Sequence, residues 1–422
     1  MNQLSFTPQN LLDCVSYKDL IDNKTLLDYS TRLMAAENAY KKVKGKSFLN
    51  NGIQQISIGN KRGVKFKSFE DKLIAKVLEK NIIKAYKIKK LNRHQIIRDL
   101  IVHLKDGSPY NIIRLDIKQF FESISTDDLL NKIASEGKIS RFNLNLLYEY
   151  SNAINSAGIN GFPRGVSLSS TLAELCLQEL DAFYKKRNDV FFYSRFVDDI
   201  VIIHHGPELT RQFIYEHFES KLPKNLELHT GEKLTYESIG RASFDGGSNE
   251  MKEFSFLGYK FKISNKYHDS DTVFNNRNRK IEIDLSDKKI ERLKQKIIKS
   301  FISYVNSMHT TQDFGLLHDR LKLLTGNYPI KDPVTGLKIH TGIYYNYQHK
   351  NVDKDCSLSK LDNFLRRIIF SKDDVFSKRI TQHLSLKQKR KLASLTFKRG
   401  FDTIRYHTFN YSRLKTIKEC WK

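Results

Sequence analysis

Apolar residues recur every three or four positions through much of the early chain. In "FEDKLIAKVLEKNIIKAY", Leu73, Val77, Leu78, Ile82 and Ile83 form one stripe, which predicts an amphipathic helix within a basic, mostly helical lobe from about Leu26 to His103. The period then drops to two. In "YNIIRLDIKQFFESIS", Ile113, Leu115 and Ile117 share one face and Ile112, Arg114 and Asp116 the other, so a strand is predicted on which Asp116 can face a cleft. A Pro-Arg-Gly turn leads into a predicted apolar helix, "LSSTLAELCLQELDAF", and "VFFYSRFVDDIVIIHH" predicts two strands meeting at Val197, Asp198 and Asp199. A helix near 208–221 and a strand, "FSFLGYKF", follow. The order strand, helix, hairpin, helix, strand suits an antiparallel, split βαβ sheet backed by helices on one face. Beyond it, Ser286 caps a long amphipathic helix carrying Ile290, Leu293, Ile297, Phe301 and Val305, and "LSKLDNFLRRIIF" and "SLKQKRKLASLTFKRG" add further helix.

Asp198 and Asp199 stand in a run that is otherwise almost wholly aromatic and aliphatic. An unpaired carboxylate resists leaving water, so the pair is either a solvated turn or a cation site. Adjacent strands lie about 4.8 Å apart, which lets Asp116 and Asp198 share divalent ions. Magnesium prefers such oxygen ligands and leaves positions for phosphates. Two ions about 3.5–4 Å apart would serve an in-line displacement by a 3′-hydroxyl. Because side chains alternate along a strand, the ligand role falls to Asp198, with Asp199 orienting or tuning the site. "VDD" taken alone fits an ordinary acidic hairpin turn as well.

Charge favours a polyanion as the partner. The 422 residues include 72 Lys+Arg against 47 Asp+Glu, a formal charge of +25, with 20 Tyr and 27 Phe interleaved for cores and base stacking. From Lys378 onward, 13 Lys/Arg face only Asp402 and Glu419, which makes Lys387, Lys389, Arg390, Lys391, Lys398 and Arg399 the candidate nucleic-acid surface. No signal peptide or membrane span is legible, so a cytoplasmic location is expected. Cys14, Cys176, Cys356 and Cys420 are too scattered for a zinc knuckle or a disulfide framework. Ser167, Ser169 and Ser170 have no plausible His-Asp partners, and His204 and His205 read as structural.

Taken in order, these segments resemble the reverse transcriptases over roughly residues 60–330. "IIRLDIKQFFESI" looks like motif A, "GFPRGVSLSSTLAELCLQELD" like motif B and "YSRFVDDIVII" like motif C; "LELHTGEKLTY" supplies Lys233 at the motif D position. "FSFLGYKF" is similar to the primer-gripping strand, through Phe256, Leu257 and Gly258. The resemblance implies an α+β right-hand polymerase with a ferredoxin-like antiparallel palm sheet, helical fingers and a helical thumb with a C-terminal extension. The expected divisions are an N-terminal helical region with fingers at 1–110, palm at 111–265, thumb at 266–371 and a basic extension at 372–422. It also implies two magnesium ions, with manganese able to substitute, held by Asp116, the Ile117 carbonyl, Asp198 and Asp199, and Lys233 as the proton donor to pyrophosphate. Phe121, five residues after Asp116, is expected to exclude a 2′-hydroxyl. Arg164 stands where the family usually has Gln; with Gly165, Lys90, Arg93 and, more loosely, Arg98 it is expected to handle the nucleotide.

An acid-poor tail and scattered cysteines fit neither an appended ribonuclease H nor the usual mobile-intron endonuclease. "LHDRLKLLTGNYPI", "GLKIHTGIYYNYQ" and "LSKLDNFLRRIIF" are similar to the thumb extension of retron-like, defence-associated bacterial enzymes, including the smaller enzyme of the type 3 two-reverse-transcriptase antiphage systems. That likeness implies a structured non-coding RNA template, a cDNA product, deoxynucleotides, and a second reverse transcriptase or a second copy of the chain as partners. Untemplated or protein-primed synthesis, a non-catalytic RNA-binding scaffold and a palm-fold RNA polymerase are the competing readings.

Overall fold

The structure is a computed structural model and describes residues 3–58, 61–89, 91–206, 211–244, 251–267, 278–331, 338–372 and 375–421. The chain divides into two compact units, one of residues 1–103 and 109–239, the other of residues 104–108 and 240–422.

The first unit holds a hairpin, β1 (Ile53–Ile58) with β2 (Lys61–Phe66), and a four-stranded sheet of β3 (Tyr110–Asp116), β4 (Val190–Phe196), β5 (Asp199–His204) and β6 (Thr235–Ile239). The sheet order is β4-β5-β3-β6 and every pairing is antiparallel, the arrangement of a split βαβ layer. Ile113, Leu115 and Ile117 on one face of β3, and Ile200 and Ile202 on β5, join the main core. Each such side chain, fully buried, contributes about 1.5–3 kcal/mol. The opposite face is not open, as a one-sided layer would be. Ile112, Val201 and Ile203 are buried there too, whereas Arg114 and Asp199 at one end, and Thr235 and Glu237 on β6, are half-buried. On the two central strands that face is therefore apolar except at the end carrying Arg114, Asp116 and Asp199.

The predicted helix over "FEDKLIAKVLEKNIIKAY" is Phe69–Tyr86, capped by the Ser68 side chain accepting from the Asp71 N–H. The motif B segment forms two helices, Ser167–Cys176 and Gln178–Lys185, where one was expected. Helix Arg211–Glu219 follows the hairpin. The β1–β2 hairpin interrupts what was read as an all-helical lobe. Its alternation is weak because most of its side chains are exposed.

In the second unit, β7 (Lys252–Phe256), β8 (Tyr259–Tyr267) and β9 (Arg279–Leu285) form an antiparallel sheet. "FSFLGYKF" is thus a hairpin and not a single strand. Leu257 and Gly258 both take positive φ, 46° and 84°, the geometry of a tight two-residue turn. A second hairpin joins β10 (Asn327–Lys331) to β11 (Lys338–Gly342); helices Thr311–Thr325 and Ile343–Tyr347 pack beside it, and helix Asp287–Val305 packs on helices Thr311–Thr325 and Ser357–Phe370. Arg279 is buried. It donates to the carbonyls of Asp106, Gly107, Ser108, Gly240 and Ser264 and to Asn265 Oδ1, which ties the 104–108 segment into this unit. Of the aromatic residues interleaved with the cations of the tail, Phe397 and Phe401 are core residues, whereas Tyr406 and Tyr411 are exposed.

Candidate active site

Antiparallel pairing places Asp116, the last residue of β3, directly opposite Asp199, the first of β5. Both therefore face the same side of the sheet, together with Arg114 two residues back. Arg114 takes Asp199 in a two-point grip, Nε to Oδ1 at 2.9 Å and Nη2 to Oδ2 at 3.3 Å. Burial raises the Asp199 carboxyl above its ordinary value; Arg114 opposes that rise, and Asp116 and Asp198 add to it.

Asp198 lies in the two-residue turn between β4 and β5, preceded by Val197 at φ 62°. A β-branched residue in the left-handed region costs about 1–3 kcal/mol and persists only where its surroundings hold it. The brace here is Arg195. Its buried guanidinium donates through Nη1 to the Val197 carbonyl at 2.8 Å, through Nε and Nη2 to both oxygens of Asp181, and through Nη2 to Glu174 at 2.7 Å. Tyr193 donates its hydroxyl to Asp181 as well. The turn that carries Asp198 is thus anchored to both motif B helices.

Asp198 approaches Asp116 through the backbone. The Ile117 N–H donates to the Asp198 carbonyl at 3.1 Å, and because the N–H and C=O of one residue in extended backbone share a strand edge, the Ile117 carbonyl lies on the side of the turn. Burial, followed by the charge of Asp116, raises the Asp198 carboxyl above its ordinary value, with Arg164 and Lys233 opposing. Among the described residues Asp198 has no ion pair. Asp116 does have one: Lys233 Nζ sits 2.8 Å from Oδ1, and His229 Nε2 lies 3.3 Å from the same oxygen. The His229 N–H also binds the Asp116 carbonyl at 2.7 Å, fixing the segment that carries Lys233 beside the strand end.

No three His, Cys, Asp or Glu side chains converge on a point among the described residues. The oxygen donors on this side are the Asp116 and Asp198 carboxylates, near enough for the charge of Asp116 to act on Asp198, and the Ile117 carbonyl. All are hard oxygen donors, and a cationic ammonium already rests on one of them. This donor set fits magnesium held by one or two carboxylates with substrate phosphates completing the shell, and does not fit an all-protein cage.

On the short helix Phe120–Ser123 that follows β3, Phe121 is buried, with Phe120 edge-on at 5.6 Å. Arg164 reaches back to this pair and not into open space: its Cζ is 4.9 Å from the Phe121 ring centroid and its Nε donates to Glu122 at 3.2 Å. Gly165 has φ 96° and passes so close to β2 that a Cβ would fall 2.6 Å from the Val64 carbonyl oxygen, so glycine is required there. Arg93 and Arg98 lie on helix Arg93–Leu104, and Lys90 falls outside the described residues. In the second unit, Phe256 is buried and Leu257–Gly258 form the β7–β8 turn. Lys387, Lys389, Arg390 and Lys391 lie on helix Leu386–Ala393, and Lys398 and Arg399 on helix Phe397–Asp402. Lys387, Arg390, Lys391 and Arg399 are exposed; Lys389 and Lys398 are half-buried.

Arg114, Arg195 and His229 were not singled out from the sequence. A lone Arg inside a strand of aromatic and aliphatic residues was the available sign for Arg195, because such a charge must find partners. Arg114 was legible as a neighbour of Asp116 on its face, while its partner depended on strand register. Nothing local marked His229.

No curated protein matches the chain in sequence. Among solved structures, telomerase from Candida albicans, in complex with a fragment of telomeric RNA, is similar with a TM-score of 0.31 and 11% identity over 82% of this chain; the match spans 53% of the telomerase chain. No helix among the described residues is long and apolar enough to cross a membrane. The sequence profile of "Reverse transcriptase (RNA-dependent DNA polymerase)" matches residues 44–261, just over half of the chain, from before β1 into β8. With the paired strands β3 and β5 and the acidic turn inside that match, the chain belongs to the reverse transcriptase family.

Proposed function

We propose that the chain is an RNA-directed DNA polymerase that copies an associated structured RNA into cDNA, with Asp116, Asp198 and the Ile117 carbonyl holding two magnesium ions. The observation that supports this most is the meeting of Asp116 with the turn carrying Asp198 at the charged end of the two central strands. Bound there, the ions would lower the pKa of a primer hydroxyl and neutralise the leaving pyrophosphate, a role manganese could also fill.

The chain's own residues do the remaining work. Arg114 keeps Asp199 engaged, so Asp199 orients the site and sets its charge. Lys233, resting on Asp116, moves to the departing pyrophosphate to give it a proton or offset its charge. Phe121 presents its ring to the sugar and leaves no room for a 2′-hydroxyl. Leu257 and Gly258 shape a turn suited to a primer end, and the cations of the two C-terminal helices hold phosphate backbone. Fingers within 1–110, palm within 111–265, thumb within 266–371 and a basic extension within 372–422 remain our division of labour. The likeness of 317–370 to thumb extensions supports a place in antiphage defence, beside a second reverse transcriptase or a second copy of the chain.

The test is purification with co-purifying RNA, addition of magnesium and labelled deoxynucleotides, and comparison with Asp198→Ala. Product complementary to the bound RNA and absent from the variant is expected. Product unrelated to that RNA would point to untemplated synthesis, and an Asp116→Ala chain with full biological effect would point to a scaffold.

A further inference from the structure

Arg164 departs from the family's usual glutamine, and its side chain is already committed. The guanidinium lies over the face of Phe121 with Cζ 4.9 Å from the centroid, and Nε donates to Glu122 Oε1 at 3.2 Å. Lys61, the first residue of β2, places its ammonium 3.9 Å from the same oxygen. Both ends of this contact are fixed by backbone: the Phe121 carbonyl accepts from the Phe162 N–H at 2.8 Å, and the Arg164 carbonyl from the Val64 N–H at 2.8 Å. Burial works against ionising Glu122, yet Arg164, through its hydrogen bond and charge, and Lys61 hold the carboxyl below its ordinary value. The carboxylate is therefore charged, and the pair is an ion pair.

A guanidinium over a ring face is attracted by the ring quadrupole, and its planar fork suits a carboxylate at the same time. A glutamine amide carries no charge and supplies neither interaction. We propose that Arg164 is a positioning residue for sugar discrimination: paired with Glu122, it pins the Phe121 ring so that the nucleotide site rejects a 2′-hydroxyl more strictly than Phe121 would unaided. The inference rests on the reading of Phe121 as the residue that faces the sugar, and it assigns Arg164 to the ring instead of to the triphosphate.

The experiment compares wild type, Arg164→Gln, Arg164→Lys, Glu122→Gln and the Arg164→Gln/Glu122→Gln double variant. Incorporation efficiency and apparent affinity are measured for each deoxynucleotide and its ribonucleotide. The deoxy-to-ribo ratio is expected to fall about tenfold in Arg164→Gln and comparably in Glu122→Gln. The double variant should fall no further, because the two residues act as one unit. Arg164→Lys, which keeps charge without the flat face, should fall between. A phosphate clamp would instead weaken both sugars equally and leave the ratio unchanged, which overturns the proposal. So does a Glu122→Gln chain with the wild-type ratio, and this half-exposed position serves even if Arg164→Gln fails to fold. Should the wild-type chain extend no primer, binding of the two triphosphates in calcium gives the same ratio. Preference for deoxynucleotides without synthesis would overturn the catalytic reading alone; no preference for either sugar would overturn this one.

Discussion

Replacing Arg195 with Met should open the strand pair that carries Asp198. The side chain is 3% exposed, whereas its partners Glu174 and Asp181 retain 23% and 19%. Breaking a buried pair by removing one member costs about 3–5 kcal/mol, and carboxylates that keep some water fall at the lower end, about 3 kcal/mol. The Val197 carbonyl also loses its donor, so the strained turn has less to hold it. The single tryptophan, Trp421, lies in the other unit, so its fluorescence cannot follow this change. Hydrogen exchange of peptides covering residues 190–204 can, and a loss of about 3 kcal/mol corresponds to about a hundredfold faster exchange wherever opening limits it. Arg195→Met/Asp181→Asn should recover at least about 1 kcal/mol, since one stranded carboxylate is gone. Exchange within about threefold of wild type in Arg195→Met would refute the bracing role, because an intact turn cannot have lost that much.

Lys233→Ala removes the cation resting on Asp116, so magnesium titrations should show tighter binding while the turnover of primer extension falls about a hundredfold. Val197→Gly should stabilise the first unit by about 1 kcal/mol, read from exchange of the same peptides, because glycine takes positive φ without strain. In the second unit, burial followed by neighbouring cations depresses both His318 and His407 to about 4 from an ordinary 6.5. Both stay neutral in the folded unit while the unfolded chain takes up protons. Stability is therefore full above pH 6.5 and declines as the pH falls toward 4, a trend that urea unfolding followed by Trp421 fluorescence would record. With +25 net charge, RNA affinity should drop about a thousandfold between 50 and 200 mM salt for ~6 phosphate contacts, and a flat salt dependence in filter binding would contradict backbone-led recognition.

The sheet was legible where burial imposed a period. β3 was legible as a short apolar run ending in Asp116, although it is buried on both faces and does not alternate in burial, and the β4–β5 hairpin stood out because two acids interrupt an apolar run. Register was not legible: that Asp116 meets Asp199, and that Arg114 thereby becomes the partner of Asp199, follows from pairing between segments distant in sequence. Exposed hairpins such as β1–β2 escaped because side chains facing water need not alternate. The break at Leu177 has no glycine or proline to announce it. Leu257 at positive φ hid the β7–β8 turn inside what reads as one apolar strand. Arg164 was legible as a departure from its family, but its partners Phe121 and Glu122 became visible only when the motif B turn was seen folded back on motif A.

The Arg279 clamp also gives the nascent chain a timetable. Asp106 leaves the ribosome 173 residues before the guanidinium that binds its carbonyl. At about 5–20 residues per second, that interval is about 10–35 s. The last residue of the first unit, Ile239, emerges well inside it. During synthesis, the loop between helix Arg93–Leu104 and β3 thus lacks its partners while the strands of the first unit can already pair; the Ala242 N–H, 2.8 Å from the Gly107 carbonyl, takes hold of it first, and Arg279 closes the clamp as β9 appears. A ribosome stalled after β6 would carry a catalytic sheet with that loop still open, so a protease added to such complexes should cut at 104–108 and lose that cut once Arg279 has emerged.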